Sequence, residues 1–377
     1  MNQIVFSGYK SYENLHNILK NCQPNKILLV TGKQSYSLSG AKKLIGKITD
    51  KYNTVRFCSF HSNPEINDIK KGISTFKKEG CDFIIGIGGG SVIDVAKSIA
   101  LLGGNNNDIA GILKGKVKSG KRLIKTVIIP TTAGTGSEST HFSVIYLAGE
   151  KYSLADSSML PDFIILDPAF LENVPPNVAS SSAMDALCQG IESYWSVEST
   201  NESRNYSRMA IKLVLANIVK NVNNPDKVSR INMLRAANYS GKAINIAKTT
   251  AAHSISYTIT SMFKIQHGHA VALILPKLIE VNYSINKDCL NDKRGIAFTN
   301  KRMNELLDIL NVVSPAEAKN KITNIMKSIG LKTRLFELGI KKSNINQIIK
   351  GYNPERMKNN PRTLTKNDIK GILEEIL

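Results

Sequence analysis

Apolar positions in the first part of the chain fall into short runs separated by stretches of helical spacing. KILLVT (26–31), TVRFCSF (54–60), FIIGIG (83–88) and TVIIP (126–130) read as strands, and FIILDP (163–168) as the last of them. Between them, SGAKKLIGKI (39–48), INDIKKGISTFKKEG (66–80) and SVIDVAKSIALL (91–102) read as helices. Nearly continuous apolar strands alternating with helices predict a parallel sheet covered on both faces. The pattern breaks at NVPPNVA (173–179), whose two prolines mark a linker. From about residue 178 strand signals nearly vanish. SRNYSRMAIKLVLANIVKNV (203–222), KVSRINMLRAANYSGKAI (227–244) and the terminal NDIKGILEEIL (367–377) read as helices. The chain of 377 residues exceeds the ~250–300 at which one core stops growing. An α/β domain over 1–172 followed by an all-helical domain over 173–377 is the expected organisation.

Composition changes this picture little. Hydrophobic residues are 42% and charged residues 21%, a globular balance. Fifty basic against 30 acidic residues give a net charge of +20. The basic residues are scattered, and the densest run, KGKVKSGKRLIK (114–125), holds no aromatic residue to stack on a base. Nucleic acid is therefore not an expected partner; a general attraction for anionic small molecules, dinucleotides included, is. The five cysteines, odd in number and without a CxxC pair, suggest reduced thiols. No signal peptide and no apolar run near ~18 residues is visible, so a soluble cytoplasmic protein without a membrane partner is expected.

Two loops carry candidate chemistry. GIGGGSVIDVAK (86–97) sits at a strand-to-helix junction, where Gly88, Gly89 and Gly90 let backbone N–H groups approach a phosphate and Ser91 opens the helix. Glycine turns without ligands are common, so position gives this one its weight. Asp94 either caps the helix, orders the loop or binds the ligand. The second loop, PTTAGTGSES (130–139), offers hydroxyls from Thr131, Thr132 and Thr135. Two such loops after two strands of one sheet point to a dinucleotide.

A third feature is DALCQGIESYW (185–195). On a helix, Asp185 and Gln189 share a face and Glu192 follows a turn later. Either a helix-surface hydrogen bond or half of a metal site explains that pairing. His253 and His267, 14 residues apart and flanking a turn-like FKIQHG, supply the other half. Asp, two His and a weak fourth oxygen ligand would suit Fe²⁺ or Zn²⁺.

Taken together, GGGSVIDVAK, PTTAGTGSE, MDAL with a ligand position four residues after the Asp, and two histidines with the second in HG resemble the iron-containing alcohol dehydrogenase family. The resemblance spans nearly the whole chain. It implies a Rossmann-like N-terminal domain, a helical C-terminal domain as in dehydroquinate synthase, and a nicotinamide dinucleotide in the cleft. It also implies a divalent metal, usually iron, on Asp185, His253 and His267, with Gln189 where the family usually has His. A neutral amide is a poorer donor than imidazole for iron or zinc, so a weaker and more permissive metal site is expected. Tyr257 stands where many relatives place another His, and either relays a proton to the product alkoxide or packs. Gly32 occupies the position after the first strand where members using NAD often carry Asp. With Lys33 and Ser35 beside it, nothing repels a 2′-phosphate, which favours NADPH over NADH. Gly32, Ser35, Asn63, Gly89, Gly90, Ser91, Asp94, Thr131, Thr132, Thr135 and Lys151 form the candidate cofactor set.

DALCQGIESYWSVEST and GKAINIAKTTAAHSISY resemble more particularly the hydroxyethylphosphonate dehydrogenase (phosphonoacetaldehyde reductase) branch. Lys248, Thr249 and Thr250, just before the first His, would suit a substrate bearing a phosphonate. Arg204 and Lys242 are further candidates, against the alternative of ordinary surface cations. The expected activity is metal-dependent, NAD(P)H-linked reduction of a small anionic aldehyde, with a homodimer as the assembly considered. A broad short-chain alcohol dehydrogenase, a zinc glycerol dehydrogenase, a dehydroquinate synthase-like lyase and a metal-free nucleotide-binding module are the alternatives.

Overall fold

The computed structural model describes residues 3–104, 108–120 and 122–377. Lys121 of the basic run therefore lies outside the described residues. The chain forms two compact units: Met1–Thr132 with Gly136–Val174, and Ala133–Thr135 with Pro175–Leu377.

The first unit runs β1 (Ile4–Ser7), α1 (Asn14–Cys22), β2 (Ile27–Thr31), α2 (Ser35–Leu38), α3 (Ala41–Thr49), β3 (Thr54–Phe57), α4 (Ile66–Lys78), β4 (Phe83–Gly88), α5 (Gly90–Leu102), α6 (Ile109–Leu113), β5 (Lys125–Pro130), β6 (Phe142–Leu147), β7 (Glu150–Ala155) and β8 (Phe163–Leu166). Six strands form one parallel sheet in the order β1-β8-β5-β4-β2-β3. Every residue of β2 and β4 is buried, which is why ILLV (27–30) and FIIGIG (83–88) are apolar runs instead of alternations. From β2 the chain goes to β3 on one side and returns to β4 on the other. The strand order thus reverses between β2 and β4, the place where α/β sheets bind ligands. Gly86 lets α5 press onto the sheet there: a Cβ would lie 2.8 Å from both Ala96 Cβ and Ile128 Cδ1.

The second unit is helical: α7 (Pro176–Trp195), α8 (Asn201–Asn223), α9 (Lys227–Ala247), α10 (Ala251–Phe263), α11 (His267–Tyr283), α12 (Ile296–Leu310), α13 (Pro315–Ser328), α14 (Ile345–Lys350), α15 (Pro354–Met357) and α16 (Lys366–Glu375). Helix α7 packs against α8, α9, α11 and α12, and every residue from Ala183 to Trp195 is buried. A polar side chain on this helix therefore needs an internal partner.

The parallel α/β unit and the helical unit match the expected architecture, with three local differences. Strand β1 carries no periodic signal, because IVFS is short and half-exposed at the sheet edge. The antiparallel hairpin β6–β7 is the second difference; its two-residue turn, Ala148–Gly149, has both φ angles positive (52° and 81°), and Ala is an uncommon residue for that role. The prolines of NVPPNVA do not end regular structure, since Pro176 is the first residue of α7, where its missing N–H costs nothing. Among the described residues, no helix is long and apolar enough to cross a membrane.

Candidate functional site

Three of the four proposed ligands converge inside the helical unit. One ligand atom from each of Asp185 (α7), His253 (α10) and His267 (α11) lies within 4.8 Å of the other two. The imidazole rings of His253 and His267 meet edge to face with centroids 5.3 Å apart. Gly268 makes this possible. A Cβ there would strike the Ser181 carbonyl oxygen and fall 2.8 Å from Asp185 Cβ, so only glycine lets the start of α11 reach α7 where Asp185 projects.

Behind His253 stands Glu192, with no exposed surface. Its Oε1 accepts from Thr250 N (3.1 Å), Thr250 Oγ1 (2.7 Å) and Ala252 N (2.9 Å), holding the first turn of α10. Its Oε2 meets His253 Nδ1. A carboxylate only accepts, so Nδ1 carries a proton toward Glu192, and Nε2, 3.3 Å from Asp185 Oδ1, donates to that carboxylate while protonated and offers its lone pair to a cation once that proton leaves. Burial alone disfavours an imidazolium here, but the Glu192 and Asp185 carboxylates outweigh it and raise the His253 pKa to about 10. Two imidazoles and a carboxylate, one imidazole oriented from behind by a second carboxylate, form a donor set that fits a divalent transition cation.

Gln189 is buried one turn from Asp185, and both ends of its amide are engaged. Nε2 donates to Thr135 O (3.3 Å), and Oε1 accepts from Ser240 Oγ on α9 (2.9 Å). Tyr257 stacks on the His267 ring with centroids 5.7 Å apart, and Thr260 Oγ1 lies 3.4 Å from His267 Nδ1. His267 and Tyr257 are only half-buried, so this is the side from which the cluster meets solvent.

The substrate candidates divide. Lys248 is exposed, at a positive φ of 60° where α9 ends. Thr249 is buried and its carbonyl accepts from Asn359 Nδ2 (3.1 Å). The Thr250 hydroxyl is committed to Glu192 and to Trp195 Nε1 (2.9 Å). Arg204 is buried, bonded to Ser199 and Asn201, and packs over Phe298. Lys242 lies 5.7 Å from the ring centroids of both Tyr206 and Tyr239.

In the α/β unit, the glycine and hydroxyl loops leave the adjacent strands β4 and β5, where Gly88 pairs with Pro130 and Thr131 N donates to Gly88 O (3.0 Å). A Cβ on Gly89 would stand 3.4 Å from Thr132 Oγ1, so a bare backbone faces a hydroxyl across this cradle. Gly90 begins α5, and Ser91 Oγ ties that helix to the carbonyl of Ser62, next to the exposed Asn63. Asp94 is an organiser of the second loop: its carboxylate accepts from Ser137 Oγ and from Val144 N (3.0 Å). Lys97, completely buried, sends Nζ to Ser137 O (2.9 Å), Thr140 Oγ1 (2.9 Å) and the Phe142 carbonyl. Burial lowers its pKa to about 8, against the pull of Asp94 and Glu138. Gly32 follows β2, with Ser35 Oγ filling the space a Cβ would take. Lys151 lies on β7 opposite Tyr146.

Glu192, Lys97 and Arg56 make contacts that their sequence context does not announce. The spacing 185, 189, 192 was the available signal for Glu192. Lys97 ends the glycine motif, and Arg56 is the one charged residue in TVRF.

Residues 2–168 match the family described as iron-containing alcohol dehydrogenase, and residues 179–377 match the C-terminal domain of the same family. A probable alcohol dehydrogenase, EutG, of Salmonella typhimurium is 30% identical over 81% of this chain and 75% of its own. A phosphonoacetaldehyde reductase of Streptomyces viridochromogenes is 32% identical over 66% of this chain and 65% of its own. Among solved structures, a sulfoacetaldehyde reductase from Bifidobacterium kashiwanohense, in complex with NAD⁺, superposes with a TM-score of 0.89 at 24% identity, covering 99% of this chain and 96% of that one.

Proposed function

The chain belongs to the iron-containing alcohol dehydrogenase family, and from that premise we propose that it reduces a small anionic aldehyde, such as phosphonoacetaldehyde, with NADPH at a metal centre. The observation that carries this reading is the convergence of Asp185, His253 and His267 within 4.8 Å. A bound divalent cation supplies Lewis acidity toward a carbonyl oxygen, and a nicotinamide supplies hydride. The protein's own part is to hold the cation's ligands in place: Asp185 brings the negative charge, Glu192 fixes the His253 tautomer, and Tyr257 braces His267 by stacking. Gln189 stands as the candidate fourth ligand. The glycine and hydroxyl loops offer backbone N–H groups and hydroxyls to a dinucleotide, and Gly32 presents no carboxylate against a 2′-phosphate.

The anionic substrate is favoured by the phosphonoacetaldehyde reductase relative and by exposed Lys248, three residues before the helix carrying His253. A broad short-chain alcohol dehydrogenase is the second reading, favoured by the EutG relative.

The test is NADPH oxidation with phosphonoacetaldehyde and with uncharged aldehydes of similar size, in metal-loaded and chelator-treated protein. Wild type should prefer the phosphonate in kcat/KM, Lys248→Ala should lose that preference, and Asp185→Ala should lose turnover. Equal use of charged and uncharged aldehydes by both wild type and Lys248→Ala removes the anionic substrate. Turnover that survives full metal removal removes the metal-centre reading.

A further inference from the structure

Arg56 lies on β3, the edge strand beside β2 on the side away from β4. It pairs with Leu29 across the β2–β3 ladder, so its side chain extends along β2 to the turn that leaves it. There the guanidinium is held by three hydrogen bonds. Nε donates to Thr31 Oγ1 (2.8 Å), and Nη2 donates to the carbonyls of Gly32 (3.0 Å) and Lys33 (3.1 Å). Its carbon lies 5.0 Å from the centroid of the buried Tyr36 ring, a cation–π contact that fixes the plane from one side.

All these partners are neutral. Among the described residues Arg56 makes no ion pair with a carboxylate, and its Nη1 group forms no hydrogen bond within the protein. The result is a forked cation with its rotamer already set, its charge uncompensated and one edge open to solvent. Such a group matches a phosphate, which accepts two parallel N–H donors. Lys33, exposed and two residues past β2, adds a second positive charge.

The position decides which phosphate. In a dinucleotide-binding sheet, the residue after this strand faces the adenosine ribose. An acidic side chain there bonds the 2′-hydroxyl, and a nearby Arg accommodates a 2′-phosphate. Here that residue is Gly32, and Arg56 is bonded to its carbonyl.

We infer that Arg56, assisted by Lys33, is the subsite for the 2′-phosphate of NADPH and sets the preference for NADPH over NADH. This rests on the dinucleotide-binding part of the proposed function. It asks nothing of the metal centre, so the test needs no catalysis.

The test is equilibrium binding of NADPH and NADH by nicotinamide fluorescence, with 2′,5′-ADP and 5′-ADP as displacing probes. Wild type should bind NADPH at least tenfold more tightly than NADH, and 2′,5′-ADP should displace better than 5′-ADP. Arg56→Ala should cut the NADPH/NADH ratio tenfold or more through NADPH alone, leaving NADH within threefold. Arg56→Gln, which can still bond to the 31–33 turn, should give the same loss if alanine unfolds the protein. Arg56→Lys should fall between, because it keeps the charge without the fork. Equal weakening of both nucleotides would make Arg56 a structural prop for the turn and overturn the inference, as would an NADH-preferring wild type. Wild type that binds neither nucleotide would remove the functional reading itself, and this subsite with it.

Discussion

Replacing Glu192 separates the positioning of His253 from the mere presence of a ligand. Glu192→Gln keeps the volume and one carbonyl oxygen. That oxygen goes where the donors Thr250 N, Thr250 Oγ1 and Ala252 N converge, so the new amide N–H faces His253 Nδ1. Nδ1 must then accept, the ring proton is held on Nε2 beside Asp185, and the lone pair that Nε2 would offer a cation is lost. Outer partners of this kind are worth ~10–100-fold in metal affinity, about 1.4–2.7 kcal/mol.

Glu192→Ala is harsher. It leaves several buried donors without an acceptor and the imidazole without its counter-charge. Breaking a buried pair costs about 3–5 kcal/mol, which for a domain of this size lowers Tm by on the order of 10 °C. The assay is titration of metal-free protein with Co²⁺ or Zn²⁺ in competition with a chromophoric chelator, alongside calorimetric Tm. The expected pattern is Glu192→Gln with near-native Tm and at least tenfold weaker metal, and Glu192→Ala with both lowered. Wild-type metal affinity in Glu192→Gln, within threefold, would show that the carboxylate is only a cap for α10.

Gly268→Ala should force α11 away from α7, because its Cβ would fall 2.9 Å from Asp185 N; a loss of about 1–3 kcal/mol in denaturant unfolding and weaker metal binding are expected, and an unchanged midpoint refutes the close-approach argument. Gln189→His, supplying an imidazole for the amide, should tighten Zn²⁺ in the same chelator competition, and equal or weaker binding refutes Gln189 as the weak position of the site. Lys97 has a folded pKa near 8, below its ordinary value of 10.5. The unfolded chain therefore binds more protons between those values, and stability gained above about pH 10.5 is lost as pH falls through about 8. The span is on the order of 3 kcal/mol. Lys97→Met should abolish that slope in urea unfolding at pH 7.5 and 9.5, and an unaltered slope would mean that another group titrates.

What could be read from the chain in advance follows from how far each interaction reaches along it. The strands β2, β4 and β5 announce themselves because both faces of the sheet are covered, which confines polar residues to their ends (Thr31, Lys125 and Thr126) and leaves the runs between them apolar. Strand β1 lacks that signature because its edge position permits exposed residues, and an Ala148–Gly149 turn gives no Asn-Gly or Asp-Gly signal for β6–β7. At the candidate metal site, the spacing of Asp185, Gln189 and Glu192 is local and legible as one helix face. Its meaning is not, because Glu192 acts on His253 across 61 residues and Gln189 meets Ser240 across 51. Arg56 is the sharper case. In TVRF it reads as an exposed residue of an ordinary strand, and only the pairing of β3 beside β2 carries its guanidinium to Gly32. For the proposed 2′-phosphate subsite, a glycine where an acid could stand removes a barrier, whereas an oriented cation beside it would supply an attraction. The first is visible in one residue, and the second exists only once the sheet has formed.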